Sequence, residues 1–531
     1  MKLKLNKDYL ILFIILLTTI FYVLFFISAS GPFRNANFDA QCHVAMLKGI
    51  SAFFENSVDN YSYPSSWLSD PRMGLNYILI YILQKVTQLD NTDVFLIIGI
   101  LNITILIISA YIFSRVYYKN RSNSLFLVLI ILIFGTTYKY IGVSYTNLTD
   151  LVFVASYPAV YGFGSIFLAF FFYYKYLQET KTKNLIIASF LLLVLLNNHF
   201  GSGIFLILLV FLFTLSEIIN KKVSKKELIL IILSFLIILF IDNYWFFSSW
   251  LQTSLDNLNL FQSSAIISGD YSPISPTYFL SIIRFTDLGF LLVFSLIILI
   301  KKKELFLLIS IPTCFIISIS LFLPNIYQVP LSWRLLPLLK ILILLPMPFL
   351  FREDFIFKKR HFRVLILFFV LLIALLGSIN ANFLKYATST EYSPNLSFIN
   401  QYYTPNQTLF IIDTRESCFI QTITNYKILT VSGSTHLADP KKIIENENRE
   451  KDFLDISSNI TKDRIELFNE KYNNPLLLLN KRNKNLTFIP DYAKYKENSA
   501  LAYIYNYTNE NRENVLYEDK DYLLFRFNDK K

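Results

Sequence analysis

Residues 184–226 read NLIIASFLLLVLLNNHFGSGIFLILLVFLFTLSEIINKKVSKK: an apolar block, 184–197, an Asn197-Asn198-His199 interruption, a second apolar block to 219, and four lysines in six residues. Backbone amides in hydrocarbon must be satisfied within their own segment, so continuous Leu/Ile/Phe blocks of this kind are helices rather than the alternating strands of a barrel. The first block has only fourteen residues, about 21 Å at 1.5 Å per residue, against roughly 30 Å of hydrocarbon. The Asn-Asn-His interruption is therefore expected to sit below the surface. The cluster Lys221-Lys222-Val223-Ser224-Lys225-Lys226 marks the cytoplasmic side of the second block.

The rest of the chain repeats this pattern. Of its 531 residues, 54% are hydrophobic, 17% aromatic and only 16% charged, with a mean hydropathy of +0.46; this is the composition of an integral membrane protein. Taking 221–226, 301–303 and 351–363 as cytoplasmic gives about eleven spans, near 9–29, 94–114, 124–141, 158–177, 184–197, 199–219, 227–250, 286–300, 304–323, 331–351 and 362–383. The odd count leaves the N-terminus inside and everything after 384 outside, in a multi-pass plasma-membrane arrangement. The first span, behind Lys2, Lys4 and Lys7, is too long for a cleaved signal core and reads as a signal-anchor. The apolar piece 74–86 is too short to span comfortably and reads as an interfacial or re-entrant helix in a long first outer loop, 30–93. The net charge of +11 sits mostly in clusters between spans, which argues for membrane anchoring and against a nucleic-acid partner. Cys42, Cys314 and Cys418 define no disulfide framework, and a Cys42–Cys418 bridge has no support.

Two regions follow: a transmembrane domain, 1–383, and an extracytoplasmic α/β domain, 384–531. In the second, 408–413, 426–431, 475–479 and 502–507 read as strands, 515–517 and 522–527 as a hairpin, and 441–469 as largely helical.

Threaded this way, the polar residues within or beside the membrane collect on the outer side: Asp39 and His43, Asp70 and Arg72, Asp150, the Asn197-Asn198-His199 turn, Asp242, Arg284, Asp287 and Arg334. Asp39 and His43 are four residues apart and share a face if a helix starts near Phe38; either they face a cavity, or Asn37 caps that helix and Asp39 only complements its dipole. His199 either binds a phosphate or metal, or bonds loose backbone groups at the helix break. Arg334, beside Trp333 at a span entry, either snorkels or holds an anionic ligand. Glycine-rich phosphate loops and H-E-x-x-H are absent, which argues against nucleotide hydrolysis. The single D-x-D, Asp519-Lys520-Asp521, falls in the predicted hairpin turn, where acids serve turn chemistry.

Several of these features together resemble the GT-C superfamily of membrane glycosyltransferases. They are the lone acid after the first span in Phe38-Asp39-Ala40-Gln41-Cys42-His43, the long outer loop with Tyr61-Ser62-Tyr63-Pro64, and Tyr157-Pro158 opening the fourth span. To these add the short-helix turn at His199, the Trp333-Arg334 entry, and an outer α/β domain ending in an aromatic-rich hairpin. The resemblance implies transfer of a sugar, with inversion, from a polyprenyl-phosphate donor to a glycan, lipid or protein acceptor. It implies that Asp39 is the catalytic base or a metal ligand, that Arg334, and more weakly His199, meets the lipid phosphate, and that His43, Arg72 and Asp150 belong to the substrate-binding surroundings. No cofactor is fixed by it; a divalent metal is the candidate. The first outer loops lack a D-x-D or E-x-D, which argues against the oligosaccharyltransferase subgroup. A polyprenyl-linked glycan polymerase or ligase, and a non-enzymatic transporter or scaffold for envelope glycans, are the other classes; the first would carry a dominant arginine-bearing outer loop, and a transporter would show inverted repeats.

Overall fold

The computed structural model describes residues 7–30, 74–134, 146–242, 288–320, 336–351, 396–402, 407–411, 426–429, 460–481 and 500–527, with isolated positions at 379, 404, 420, 448–449, 451–453 and 455–456. Its first part is a helical bundle. In order the helices are α1 (Lys7–Ser30), α2 (Gly74–Thr87), α3 (Asn91–Tyr118), α4 (Arg121–Ile133), α5 (Leu148–Val154), α6 (Pro158–Glu179), α7 (Thr182–Asn198), α8 (Phe200–Ile219), α9 (Lys225–Asp242), α10 (Leu288–Lys302), α11 (Leu305–Ser320) and α12 (Leu336–Leu344). The segments Lys7–Ile27, Asp93–Tyr118 and Gly201–Ile219 are long and apolar enough to cross a membrane by themselves. Phe13, Phe21, Phe25, Phe190, Phe211 and Phe240 stand exposed on the bundle, as side chains facing lipid do.

Local chemistry sets where these helices begin. Asp90 caps α3 by accepting from the Asp93 N–H at 2.8 Å, and Asn120 caps α4 through the Asn123 N–H at 3.2 Å. Pro158 occupies the first turn of α6, where its missing N–H costs nothing. Ser224 and Glu227 form a reciprocal capping box at the start of α9, with Ser224 N–H donating to Glu227 Oε2 at 2.7 Å and Glu227 N–H donating to Ser224 Oγ at 3.2 Å.

At the centre, α6 lies along α3 and α7; α7 also meets α2, α8 and α9, and α8 meets α11. Small residues let the backbones approach: a Cβ on Gly164 would stand 2.9 Å from the Leu106 amide nitrogen. Aromatic rings fill the space between α3, α6, α8 and α11, where Phe113, Phe170, Phe213 and Phe306 touch in sequence at 5.0–5.4 Å centroid spacings. The connections α3–α4, α6–α7, α8–α9 and α10–α11 pass through left-handed residues Lys119, Thr180, Lys221 and Lys303 and bring the basic residues together at one end. Asp8 of α1 pairs with Arg121 there at 3.1 Å.

One expected span is broken. The stretch 331–351 contains α12, which stops at Leu344, and a 3₁₀ turn, Met347–Phe351. Pro346 and Pro348 cannot continue an α-helix. The carbonyls of Ile343 and Leu345 beside the break accept instead from the hydroxyls of Ser295 and Tyr118.

The C-terminal part holds a five-stranded sheet ordered β2-β1-β3-β5-β4, built from β1 (Thr408–Ile411), β2 (Lys427–Ile428), β3 (Leu476–Asn480), β4 (Val515–Glu518) and β5 (Tyr522–Arg526). The β1 strand runs parallel to β2 and β3, and β5 antiparallel to β3 and β4. Every residue of β1 and β3 is buried, because both faces are covered. One face packs Leu409, Ile411, Leu476 and Leu524 against Leu396 and Ile399; the other packs Phe410, Leu477 and Phe525 against Phe468 of α13 (Lys462–Tyr472) and Ile504 of α14 (Ala500–Glu510). The expected hairpin is present, and Asp519 Oδ1 accepts from the N–H groups of Asp521 and Tyr522 at 2.7 and 2.6 Å, so this D-x-D acts in the turn.

The expectation for 502–507 is corrected: these residues lie inside α14. Tyr-Ile-Tyr favours a strand by propensity, but Ile504 and Thr508 are buried one helical turn apart while Tyr507 stacks on Phe527. Packing on the sheet decides the outcome. Within the expected helical stretch 441–469, residues 448–449, 451–453 and 455–456 are helical, and α13 begins at Lys462.

Candidate functional site

Four of the six site candidates, Asp39, His43, Arg72 and Arg334, lie outside the described residues, as does the Cys42–Cys418 pair; Asp150 and His199 are described.

Asp150 is buried, in the first turn of α5, and its N–H donates to Oδ1 of the capping Asn147 at 2.7 Å. Four residues earlier, Thr146 meets a residue that sequence reading passed over. Lys340 of α12 is fully buried, and its Nζ donates to Thr146 Oγ1 at 2.9 Å and to the Ile131 carbonyl at 3.1 Å. An ammonium and a carboxyl group are thus held at the two ends of one segment, 146–150. Ile131 lies ten residues along α4 from Arg121, so Lys340 is held inside the bundle, about 15 Å from the basic connections at 1.5 Å per residue. The signal for Lys340 was present in the sequence as the one charged residue within Leu335–Leu345, and an ionisable group inside a span marks a functional position by default.

The segment that follows is fastened to α3. Asn102 Nδ2 donates to the carbonyls of Ala155 and Tyr157 at 2.9 and 3.3 Å, and Ser156 Oγ donates to the Phe95 carbonyl at 2.6 Å. Residues 146–157 are consequently anchored by α3, α4 and α12.

His199 is the hinge between α7 and α8, at φ −153° and ψ 86°. Its Nδ1 accepts from the Ser202 N–H at 3.2 Å and lies 2.7 Å from Ser202 Oγ. Accepting at Nδ1 assigns the ring proton of a neutral imidazole to Nε2. The helix-break role expected for this turn is therefore filled through Nδ1. Asn197 and Asn198 are buried beside it, and the Asn198 Oδ1 is shielded from solvent without a hydrogen-bond partner. A buried acceptor left in this state is a place for a water or a ligand donor.

This turn is pressed against α6 at Gly162, where a Cβ would stand 2.3 Å from Ser202 Oγ and 3.2 Å from His199 Nδ1. Gly162→Ala is expected to destabilise the protein by about 1–3 kcal/mol, as overpacking does. Gly201→Ala, whose Cβ would meet only His199 Cε1 at 3.6 Å, is expected to be neutral or slightly stabilising because alanine favours helix. Thermal unfolding of the two variants in one detergent checks the contrast; equal melting temperatures would refute the tight contact.

Among the described residues, no three His, Cys, Asp or Glu side chains are grouped to hold a metal.

No family model matches this sequence, and no curated protein does. A solved structure does: the oligosaccharyltransferase of Archaeoglobus fulgidus in its apo form aligns over 91% of this chain and 70% of its own, with a TM-score of 0.50 and 11% sequence identity. This chain has the GT-C fold. The likeness is one of architecture, which at this identity carries no residue from one protein to the other. It stands beside the absence of a D-x-D or E-x-D from the first outer loops, the feature that argues against the oligosaccharyltransferase subgroup.

Proposed function

We propose that this protein is a membrane glycosyltransferase that moves a sugar from a polyprenyl-phosphate donor to an acceptor on the non-cytoplasmic face. The observation that carries the reading is the GT-C fold across 91% of the chain. The buried Lys340–Thr146 contact, an ammonium held inside the bundle, supports it.

In this reading Asp39 takes the acceptor's proton, or helps hold a divalent metal, as the acceptor oxygen attacks the anomeric carbon opposite the phosphate, inverting its configuration. The C–O bond to phosphate breaks, and positive groups neutralise the departing polyprenyl phosphate. Arg334 is the first of these and Lys340 the second. With Nδ1 of His199 committed to the helix break, a phosphate contact from this residue falls to Nε2–H. His43, Arg72 and Asp150 complete the polar surroundings of the donor.

The direct test is release of polyprenyl phosphate from radiolabelled polyprenyl-phosphate hexoses by the detergent-purified full chain. Release above that of an Asp39→Asn control is the expected result. Absence of turnover across a panel of hexoses and acceptors would sink the reading.

The sidedness is tested separately. Ser57→Cys and Ser457→Cys, introduced singly, are both expected to react with a membrane-impermeant maleimide in intact cells. Labelling of only one would break the eleven-span arrangement with the N-terminus cytoplasmic.

A further inference from the structure

We propose that the basic end of the bundle carries a second binding site, for an organic ammonium group, in the cavity where α3, α6, α8 and α11 meet. The cavity holds about 300 Å³ and is lined by Tyr117, Tyr174, Phe213, Glu217, Lys222 and Glu304 among others. Three aromatic rings form one wall: the Tyr117 and Tyr174 centroids are 5.9 Å apart and those of Tyr174 and Phe213 5.5 Å.

Two carboxylates share this space at an end otherwise rich in lysine. Glu217 keeps only 16% of its side chain exposed and pairs with Lys222 at 3.3 Å, but the lysine is 65% exposed and its attachment is correspondingly weak. Independent of the acids, the Tyr117 hydroxyl is buried without a hydrogen-bond partner, and Glu304, Tyr174 and Glu217 are among its electrostatic neighbours. Carboxylates near a phenol that none of them bonds leave room for a donor between.

The lining selects the chemistry of that donor. An anion is repelled by Glu217 and Glu304, and an uncharged apolar group would strip water from them without return. A hard divalent cation seeks about six oxygen ligands and gains little from the aromatic faces that form one wall, which an organic ammonium can use. A primary ammonium satisfies all three features at once: its N–H groups donate to the carboxylates and to Tyr117 Oη, while its charge lies over aromatic faces. Such a group comes either from the headgroup of an amino-phospholipid or from a soluble diamine.

The test uses the full chain. Putrescine is titrated against detergent-purified protein by calorimetry, with sodium chloride at matched ionic strength as control. In parallel, native mass spectrometry follows lipid retained from nanodiscs of phosphatidylethanolamine or of phosphatidylglycerol. Saturable putrescine binding supports the site with a soluble source, and selective retention of phosphatidylethanolamine supports it with a lipid source. The Glu217→Gln/Glu304→Gln double variant is expected to abolish either signal. Tyr117→Phe, which keeps the ring and the packing, is expected to weaken binding about fivefold through loss of one hydrogen bond. No amine binding beyond the controls, or binding unchanged in both variants, overturns the proposal.

Discussion

Asp39→Asn protein is expected to insert and fold normally yet to transfer sugar about 10²-fold more slowly, or worse, the lower end of what a positioned general base contributes. The exchange is nearly isosteric. It keeps the capping capacity of the side chain while removing its charge, so an Asp39 that only complements a helix dipole would cost a fraction of a kcal/mol and leave turnover intact. Turnover and thermal stability measured together on one purified variant separate the two roles. Near wild-type turnover would end the case for Asp39 as base or metal ligand, and with it most of the proposed chemistry.

The second large effect is expected at Lys340. Lys340→Met preserves the length and volume of the stem but removes the ammonium that Thr146 and the Ile131 carbonyl now share. If the lysine only ties α12 to α4 and the 146–150 segment, its loss costs about 1.5–3 kcal/mol per charge-assisted bond in stability, with the kinetics of the folded fraction unchanged. If its charge stabilises the departing phosphate, kcat/KM falls by roughly 10²-fold in protein that remains folded, the loss seen when one preorganised transition-state donor is removed. Steady-state kinetics normalised to the folded fraction distinguish these outcomes. Unchanged kcat/KM would assign Lys340 to structure alone.

Much of the bundle was legible in the residue order because its determinants are local. A helix in hydrocarbon is announced by a continuous apolar run, and the interruption at Asn197-Asn198-His199 could be placed to within a residue: α7 ends at Asn198 and α8 begins at Phe200, against expected spans ending at 197 and beginning at 199. Tyr157-Pro158 similarly marked the start of α6, since proline is at home in a first helical turn. The hairpin Val515–Glu518 and Tyr522–Arg526 was legible from alternation around an acidic turn.

The site was legible only in part. Asp150 and His199 were identified as polar residues near the membrane, but their partners were not. The hydrogen bond from Lys340 to Thr146 spans 194 positions, and no local pattern encodes which span lies beside which. The identity of α14 was hidden for a related reason: its aromatic residues favour a strand in isolation, and the face of the sheet that packs Ile504, Tyr507 and Thr508 makes them a helix.

Composition and lysine placement by themselves determined that this is a polytopic helical protein with a basic end, because apolar run length and charge act segment by segment against the bilayer. Only the tertiary structure decided that 331–351 breaks at its prolines, that Lys340 is buried against Thr146, and that Tyr117, Glu217 and Glu304 enclose one cavity. Those outcomes depend on contacts between segments far apart in the chain, whose free energy comes from burying and pairing groups that no single segment contains.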